Sequence, residues 1–172
     1  MSERAAILLA GGAGTRLWPL STDENPKQFL PLFEGRSLLE IAFGRMRSIL
    51  PADRIFISTN ERYREKAAAL LPDVPAANIL VEPARRNTAP AIAVCCADVA
   101  RALGGDPTIG IFPSDHFIAN EAAFLAVVER AYSFATDEVR LVERAYSFAT
   151  DEPYLVTIGI DPDHPNTGFG YL

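Results

Sequence analysis

Short apolar runs alternate along this chain with longer segments in which apolar residues recur at helical spacing. Ala5-Ala6-Ile7-Leu8-Leu9-Ala10 is the first run, of a length that suits one buried strand. Ser37 to Leu50 (SLLEIAFGRMRSIL) carries a helical period, with Ser37 and Glu40 in the pattern of a capping box and Pro51 as its stop. Arg54 to Ser58 (RIFIS) predicts a second strand, Asn60 to Leu71 a second helix closed by Pro72, and Asn78 to Val81 (NILV) a third strand. Thr88 to Leu103 is an Ala-rich helical stretch that tolerates Pro90 in its first turn and ends at Gly104-Gly105. Thr108 to Phe112 (TIGIF) is a fourth strand, the chain is helical from Ala122, and Tyr154 to Ile160 (YLVTIGI) is a fifth strand.

Strands alternating with helices of this length predict an α/β fold, a mainly parallel sheet covered on both faces. In such sheets ligands gather at the carboxyl ends of the strands. The glycine-rich turn after Ala10, the residues after Val81 and those after Phe112 therefore share one rim. A chain of 172 residues forms one domain, 1–172. One irregularity interrupts the pattern: Val128 to Glu138 reads VERAYSFATDE, and Val142 to Glu152 reads the same. A solenoid would repeat more often, so this is a local tandem duplication within 128–152. Its offset is about four helical turns, so a lengthened helix would keep its apolar face; alternatively one copy loops out as a short second helix. No chemistry is expected of it.

Composition narrows the functional classes. The chain is 49% hydrophobic and 22% charged, an ordinary globular mix, and its net charge of −6 argues against general nucleic-acid binding while leaving room for a local basic pocket. Cys95 and Cys96 are adjacent inside an apolar helical stretch, which is neither a disulfide framework nor a zinc pattern. Buried thiols in a reducing compartment are the expectation. The opening apolar run is too short for a signal peptide and no segment is long enough to cross a bilayer, so a cytoplasmic protein without a membrane partner is expected.

Candidate chemistry begins at Gly11-Gly12-Ala13-Gly14, followed by Thr15, Arg16 and, after a polar loop, Lys27. Glycines let a ligand approach the main chain, and bare N–H groups near two cations suit phosphates. The string lacks the lysine of a Walker loop, and Leu17 stands where the dinucleotide fingerprint needs its third glycine. The plain alternative is a tight strand-to-helix turn, with Arg16 and Lys27 as exposed cations facing Asp23 or Glu24. Asp115, after the fourth strand, could hold Mg²⁺ with substrate phosphates or merely cap a turn. Glu82 offers two acceptor oxygens, matching the N1–H and N2–H₂ donors of guanine; the plain alternative is a strand end, with Asn87 or Thr88 capping the next helix.

The string Leu8-Leu9-Ala10-Gly11-Gly12-Ala13-Gly14-Thr15-Arg16-Leu17-Trp18-Pro19-Leu20, with Pro26-Lys27-Gln28-Phe29-Leu30, resembles the signature of the sugar-nucleotide pyrophosphorylases, and most the mannose-1-phosphate guanylyltransferase branch. The resemblance implies a Rossmann-like three-layer sandwich, as in nucleotide-diphosphate-sugar transferases, truncated here at its C-terminal side. It implies transfer of GMP from GTP to mannose 1-phosphate, giving GDP-mannose and pyrophosphate, with Mg²⁺. Leu9, Ala10, Gly11, Gly12, Gly14 and Thr15 would line the nucleotide. Arg16 would face the leaving pyrophosphate, and Lys27 the α-phosphate or the incoming phosphate.

Phe112-Pro113-Ser114-Asp115-His116 resembles the family's metal segment, making Asp115 the metal ligand and leaving His116 as structural or as a support beside that ligand. The block from Glu82 to Ile92, containing RNTAPAI, resembles the segment over the base, implicating Glu82, Asn87 and Thr88. Gly168, in Asn166-Thr167-Gly168-Phe169-Gly170-Tyr171, would meet the sugar. There Asn166 and Phe169 depart from the family's usual Glu and Tyr, removing a carboxylate and a hydroxyl. Since the family's catalytic domain continues past this point, exposed apolar edges and homodimer formation are expected. The rival readings are a non-catalytic nucleotide or nucleotide-sugar sensor on this fold, a pyrophosphorylase for another sugar nucleotide, and, against the missing glycine, a dinucleotide-dependent oxidoreductase.

Overall fold

A computed structural model describes residues 3–12, 19–82 and 88–136. Four parallel strands, β1 (Arg4–Leu9), β2 (Ile55–Thr59), β3 (Ile79–Val81) and β4 (Thr108–Pro113), form one sheet in the order β3-β2-β1-β4. Helices α1 (Leu38–Arg47), α2 (Glu61–Leu70), α3 (Thr88–Leu103) and α4 (Glu121–Thr136) alternate with them. The predicted fifth strand, Tyr154 to Ile160, and the second copy of the repeat lie outside the described residues.

β1 reads as an unbroken apolar run because both of its faces are covered. Ala6 and Leu8 look into one core with Ile55, Ile57, Leu39, Met46, Tyr63, Ala67, Val128 and Tyr132, while Ala5 and Ile7 look into a second with Phe56, Cys95 and Val99. Helices α1, α2 and α4 thus cover one face and α3 the other. The connections β1→β2→β3 step one way across the sheet, and β3→β4 returns past β1. Crossovers of one hand in opposite directions place their helices on opposite faces, which is why α3 stands apart.

The ends of the helices follow local chemistry. Glu40 N–H donates to Ser37 Oγ at 3.2 Å and Ser37 N–H donates to Glu40 Oε2 at 2.7 Å, the reciprocal capping box. This helix ends at Arg47 rather than running to Pro51, because Ser48 N–H already bonds back to the carbonyls of Arg45 and Met46. Gly104 and Gly105 follow α3 with φ of 73° and 70°, backbone that glycine adopts without a Cβ clash. Asn120 Oδ1 accepts from Ala123 N–H and caps α4. The cysteines are free, Cys95 buried and Cys96 only partly so.

Candidate active site

The carboxyl end of β1 is gripped from every side. Leu9 carbonyl accepts from both Ser114 Oγ (2.7 Å) and Ser114 N–H (3.2 Å), which joins it to the residue after β4. Ala10 N–H donates to Ser58 carbonyl at 2.7 Å, extending the β1–β2 ladder. Ala10 carbonyl accepts from Thr59 Oγ1 at 3.3 Å and from Gln28 Nε2 at 2.9 Å. The same Gln28 nitrogen donates to Gly12 carbonyl at 2.8 Å. Gln28 is thereby a buried clamp across the first half of the glycine turn, and it leaves the turn's N–H groups free of this bonding.

Lys27 precedes that clamp, in a short 3-10 turn, Lys27–Phe29. The loop leading to it is tied down: Tyr63 Oη donates to Asp23 carbonyl at 2.6 Å, and Lys66 Nζ donates to Asn25 Oδ1. Lys27 Nζ forms an ion pair with Asp115 Oδ2. Both side chains are about one-third exposed, at 29% and 32%. For Lys27, the pairing with Asp23 or Glu24 is therefore replaced by one across 88 residues of sequence. Asp115 sits directly after Ser114, so the serine that anchors β4 to Leu9 also fixes where the carboxylate emerges. His116 is exposed, its Nε2 3.8 Å from Asp115 Oδ1.

Glu82 stands on the other flank. Its N–H donates to Thr59 carbonyl at 2.8 Å, and its Oε1 accepts from Ser58 Oγ at 2.7 Å. It lies against Gly11, where a Cβ would come within 2.8 Å of Oε1. Ser58 is wholly buried, and burial, with Glu82 and Asp98 nearby, pushes the Cys95 thiol up against the opposing influence of Ser58. Beside Thr59, both polar atoms of the Asn60 amide are buried without a hydrogen-bond partner among the described residues.

The structure thus brings Leu9, Ala10, Gly11, Gly12, Lys27, Glu82 and Asp115 to one rim, as the alternation of elements predicts. Thr88 is the first residue of α3. Gly14, Thr15, Arg16, Asn87 and Gly168, predicted as site residues, lie outside the described residues. Among the described residues no three His, Cys, Asp or Glu side chains gather as a metal cluster. A single hard carboxylate beside a glycine-rich turn still fits Mg²⁺, which takes most of its ligands from substrate phosphates and water. Gln28, Ser58, Thr59 and Ser114 support the site without having been singled out by sequence. Their only signal is a polar residue at the carboxyl end of an apolar strand or inside the PKQFL block.

The family model described as nucleotidyl transferase matches residues 5–172. The chain belongs to this family. Its relatives include the xanthan biosynthesis protein XanB of Xanthomonas campestris pv. campestris, 42% identical over 174 residues that span 100% of this chain and 34% of that protein. A mannose-1-phosphate guanylyltransferase of Escherichia coli (strain K12) is 37% identical, spanning 99% of this chain and 33% of its own length. A crystal structure described as that of a mannose-1-phosphate geranyltransferase from Thermus thermophilus superposes with a TM-score of 0.67 over 78% of this chain and 38% of that one, at 32% identity. The chain spans about a third of the length of the curated relatives it matches. The Rossmann-like α/β reading holds: this nucleotidyl transferase chain has a parallel sheet with helices on both faces. No helix among the described residues is long and apolar enough to cross a membrane.

Proposed function

We propose that the chain is the front, nucleotide-binding part of one nucleotidyltransferase domain that transfers GMP from GTP to mannose 1-phosphate, releasing pyrophosphate and forming GDP-mannose. The observation that carries this reading is the Lys27–Asp115 pair beside the Gln28-clamped glycine turn. It joins a cation for phosphate oxygens to a carboxylate for a divalent ion at the carboxyl ends of adjacent strands. Identities of 35–42% with relatives that include several named mannose-1-phosphate guanylyltransferases favour guanine and mannose.

In this reaction the sugar phosphate oxygen attacks the α-phosphorus and pyrophosphate leaves, so the protein's task is to hold charge and align groups. Lys27 meets the α-phosphate or the incoming phosphate, and Arg16 the leaving pyrophosphate. Glycine-turn N–H groups approach the phosphates, with Leu9, Ala10, Gly14 and Thr15 along the nucleotide. Glu82 reads the guanine edge, Asn87 and Thr88 steady the base, and Gly168 meets the sugar. Asp115 would hold Mg²⁺, which when bound neutralises phosphate charge. In this reading the protein works as a homodimer in a reducing cytoplasm, where the free thiols of Cys95 and Cys96 persist, with no nucleic-acid partner at a net charge of −6.

The test is the melting temperature with Mg²⁺ and GTP, ATP, dTTP, UTP or NAD. Ligand at about 100 times Kd stabilises a fold by about 2.7 kcal/mol, a shift of several degrees. GTP is expected to give the largest shift, and Asp115→Ala and Lys27→Ala to diminish it. A shift with NAD and none with GTP, or none with any nucleotide, would overturn the reading.

A further inference from the structure

Glu82 does more than end a strand, because its carboxylate is held from two independent directions. From one side comes the Ser58 hydroxyl, donating to Oε1 at 2.7 Å from a residue with no exposed surface. That hydroxyl has a single proton, and the proton goes to Glu82.

From the other side comes the backbone of Gly11. A Cβ there would lie 2.8 Å from Oε1, 3.3 Å from Cδ and 3.4 Å from Oε2, so the carboxylate occupies the space that a side chain would fill. A Cβ at Gly12 would meet nothing within 4 Å among the described residues. The two glycines thus differ in the reason for their small size. Gly12 is open to a ligand, whereas Gly11 makes room for Glu82.

We propose that Ser58 and Gly11 are positioning residues that set the base preference, by fixing the Glu82 carboxylate in the orientation that accepts guanine and rejects adenine. The proposal rests on the reading that guanine docks on Glu82. Two oxygens carry about four acceptor positions, of which Ser58 takes one, leaving enough for N1–H and N2–H₂. Adenine would present its N1 lone pair to the same carboxylate. Rejection needs the carboxylate to stay in place, since a mobile one would swing aside and admit either base. Affinity for guanine can survive a loose carboxylate better than discrimination can.

Two substitutions disturb the carboxylate by opposite means. Ser58→Ala removes the donor, and Gly11→Ala pushes a methyl against Oε1. The atom in the way is the end of a flexible side chain, so Gly11→Ala is expected to fold. The readout is the ratio of Kd for ATP to Kd for GTP, each with Mg²⁺, measured by calorimetry on the 172-residue chain. Loss of a hydrogen bond to a charged group is expected to lower this ratio about tenfold in Ser58→Ala, and displacement of the carboxylate is expected to lower it in Gly11→Ala as well. Ser58→Thr, which keeps the hydroxyl, is expected to retain it. A merely structural role for Ser58, or closer phosphates at Gly11, would weaken both nucleotides alike and leave the ratio unchanged.

Glu82→Gln separates the levels. If it abolishes the preference while Ser58→Ala and Gly11→Ala both retain it, the positioning role is wrong and the guanine reading stands. If Glu82→Gln retains the preference, or the chain binds neither nucleotide, the guanine reading fails and takes the positioning role with it.

Discussion

At the scale of single residues, two buried amides at the same rim have opposite characters. Gln28 is 2% exposed and spends its Nε2 on the carbonyls of Ala10 and Gly12. Asn60, just after β2, buries both polar atoms with no partner among the described residues. Replacing a satisfied buried donor strands the acceptors it served, whereas removing an unsatisfied amide strands nothing. Gln28→Leu is therefore expected to cost about 2 kcal/mol, roughly 6 °C in Tm for a chain of this size. Asn60→Ala is expected to change Tm by less than about 2 °C, since no side-chain cap bond of α2 is lost with it. Thermal melts of both variants check the contrast, and equal losses would refute it. Neither role was legible in sequence: Gln28 is one polar letter in a recognisable block, and its partners are backbone atoms that a sequence does not place. Asp115 and Lys27 were legible as candidates from their neighbours, but their ion pair depends on β1 and β4 lying side by side.

At the scale of elements, the period of apolar residues was enough to place every helix and strand now described, within a few residues. Central strands buried on both faces leave continuous apolar runs, and capping chemistry at Ser37 and paired glycines at Gly104-Gly105 mark ends locally. Strand order was not legible, because the return of β4 past β2 to the far side of β1 is decided by packing and crossover handedness. The first copy of the repeat shows how much one helix turn can carry. Val128 and Tyr132 enter the core, Tyr132 Oη donates to Ala5 carbonyl at 2.7 Å, and Glu129 pairs with Arg4 at 3.0 Å. Gly110 is small because a Cβ there would lie 2.4 Å from that phenol oxygen. Every one of these contacts uses residues up to Tyr132. Deleting residues 139–152 joins Glu138 to Pro153 and leaves them all intact. The shortened chain is expected to melt within about 3 °C of the parent, a difference of about 1 kcal/mol or less. A much larger loss would show that the second copy contributes to the fold.

For the whole molecule, the weak acids packed against the sheet are expected to set the alkaline limit of stability. Burial raises Tyr132 well above its ordinary value of 10.0, outweighing its bond with Gly110 and the nearby Arg4 charge, and raises Cys95 and Cys96 above 9.0. Each of these groups is neutral when protonated. The folded chain therefore keeps protons that the unfolded chain gives up, and their stabilisation is complete below the unfolded pKa and lost as pH rises towards the folded one. Between those two values each group costs about 1.4 kcal/mol per pH unit. These three groups leave the urea midpoint flat between about pH 6 and 8, and it should fall above about pH 9, first through the thiols and then more steeply through the phenol. Tyr132→Phe separates the contributions. It forfeits the hydrogen bond to Ala5 carbonyl, lowering stability at neutral pH by about 1 kcal/mol, yet it removes the phenol's titration. Its midpoint should therefore decline less than the parent's above about pH 10, so that the two curves converge. Parallel curves would mean that the phenol does not carry the steep alkaline limb, and that deprotonation elsewhere in the chain opens the fold first.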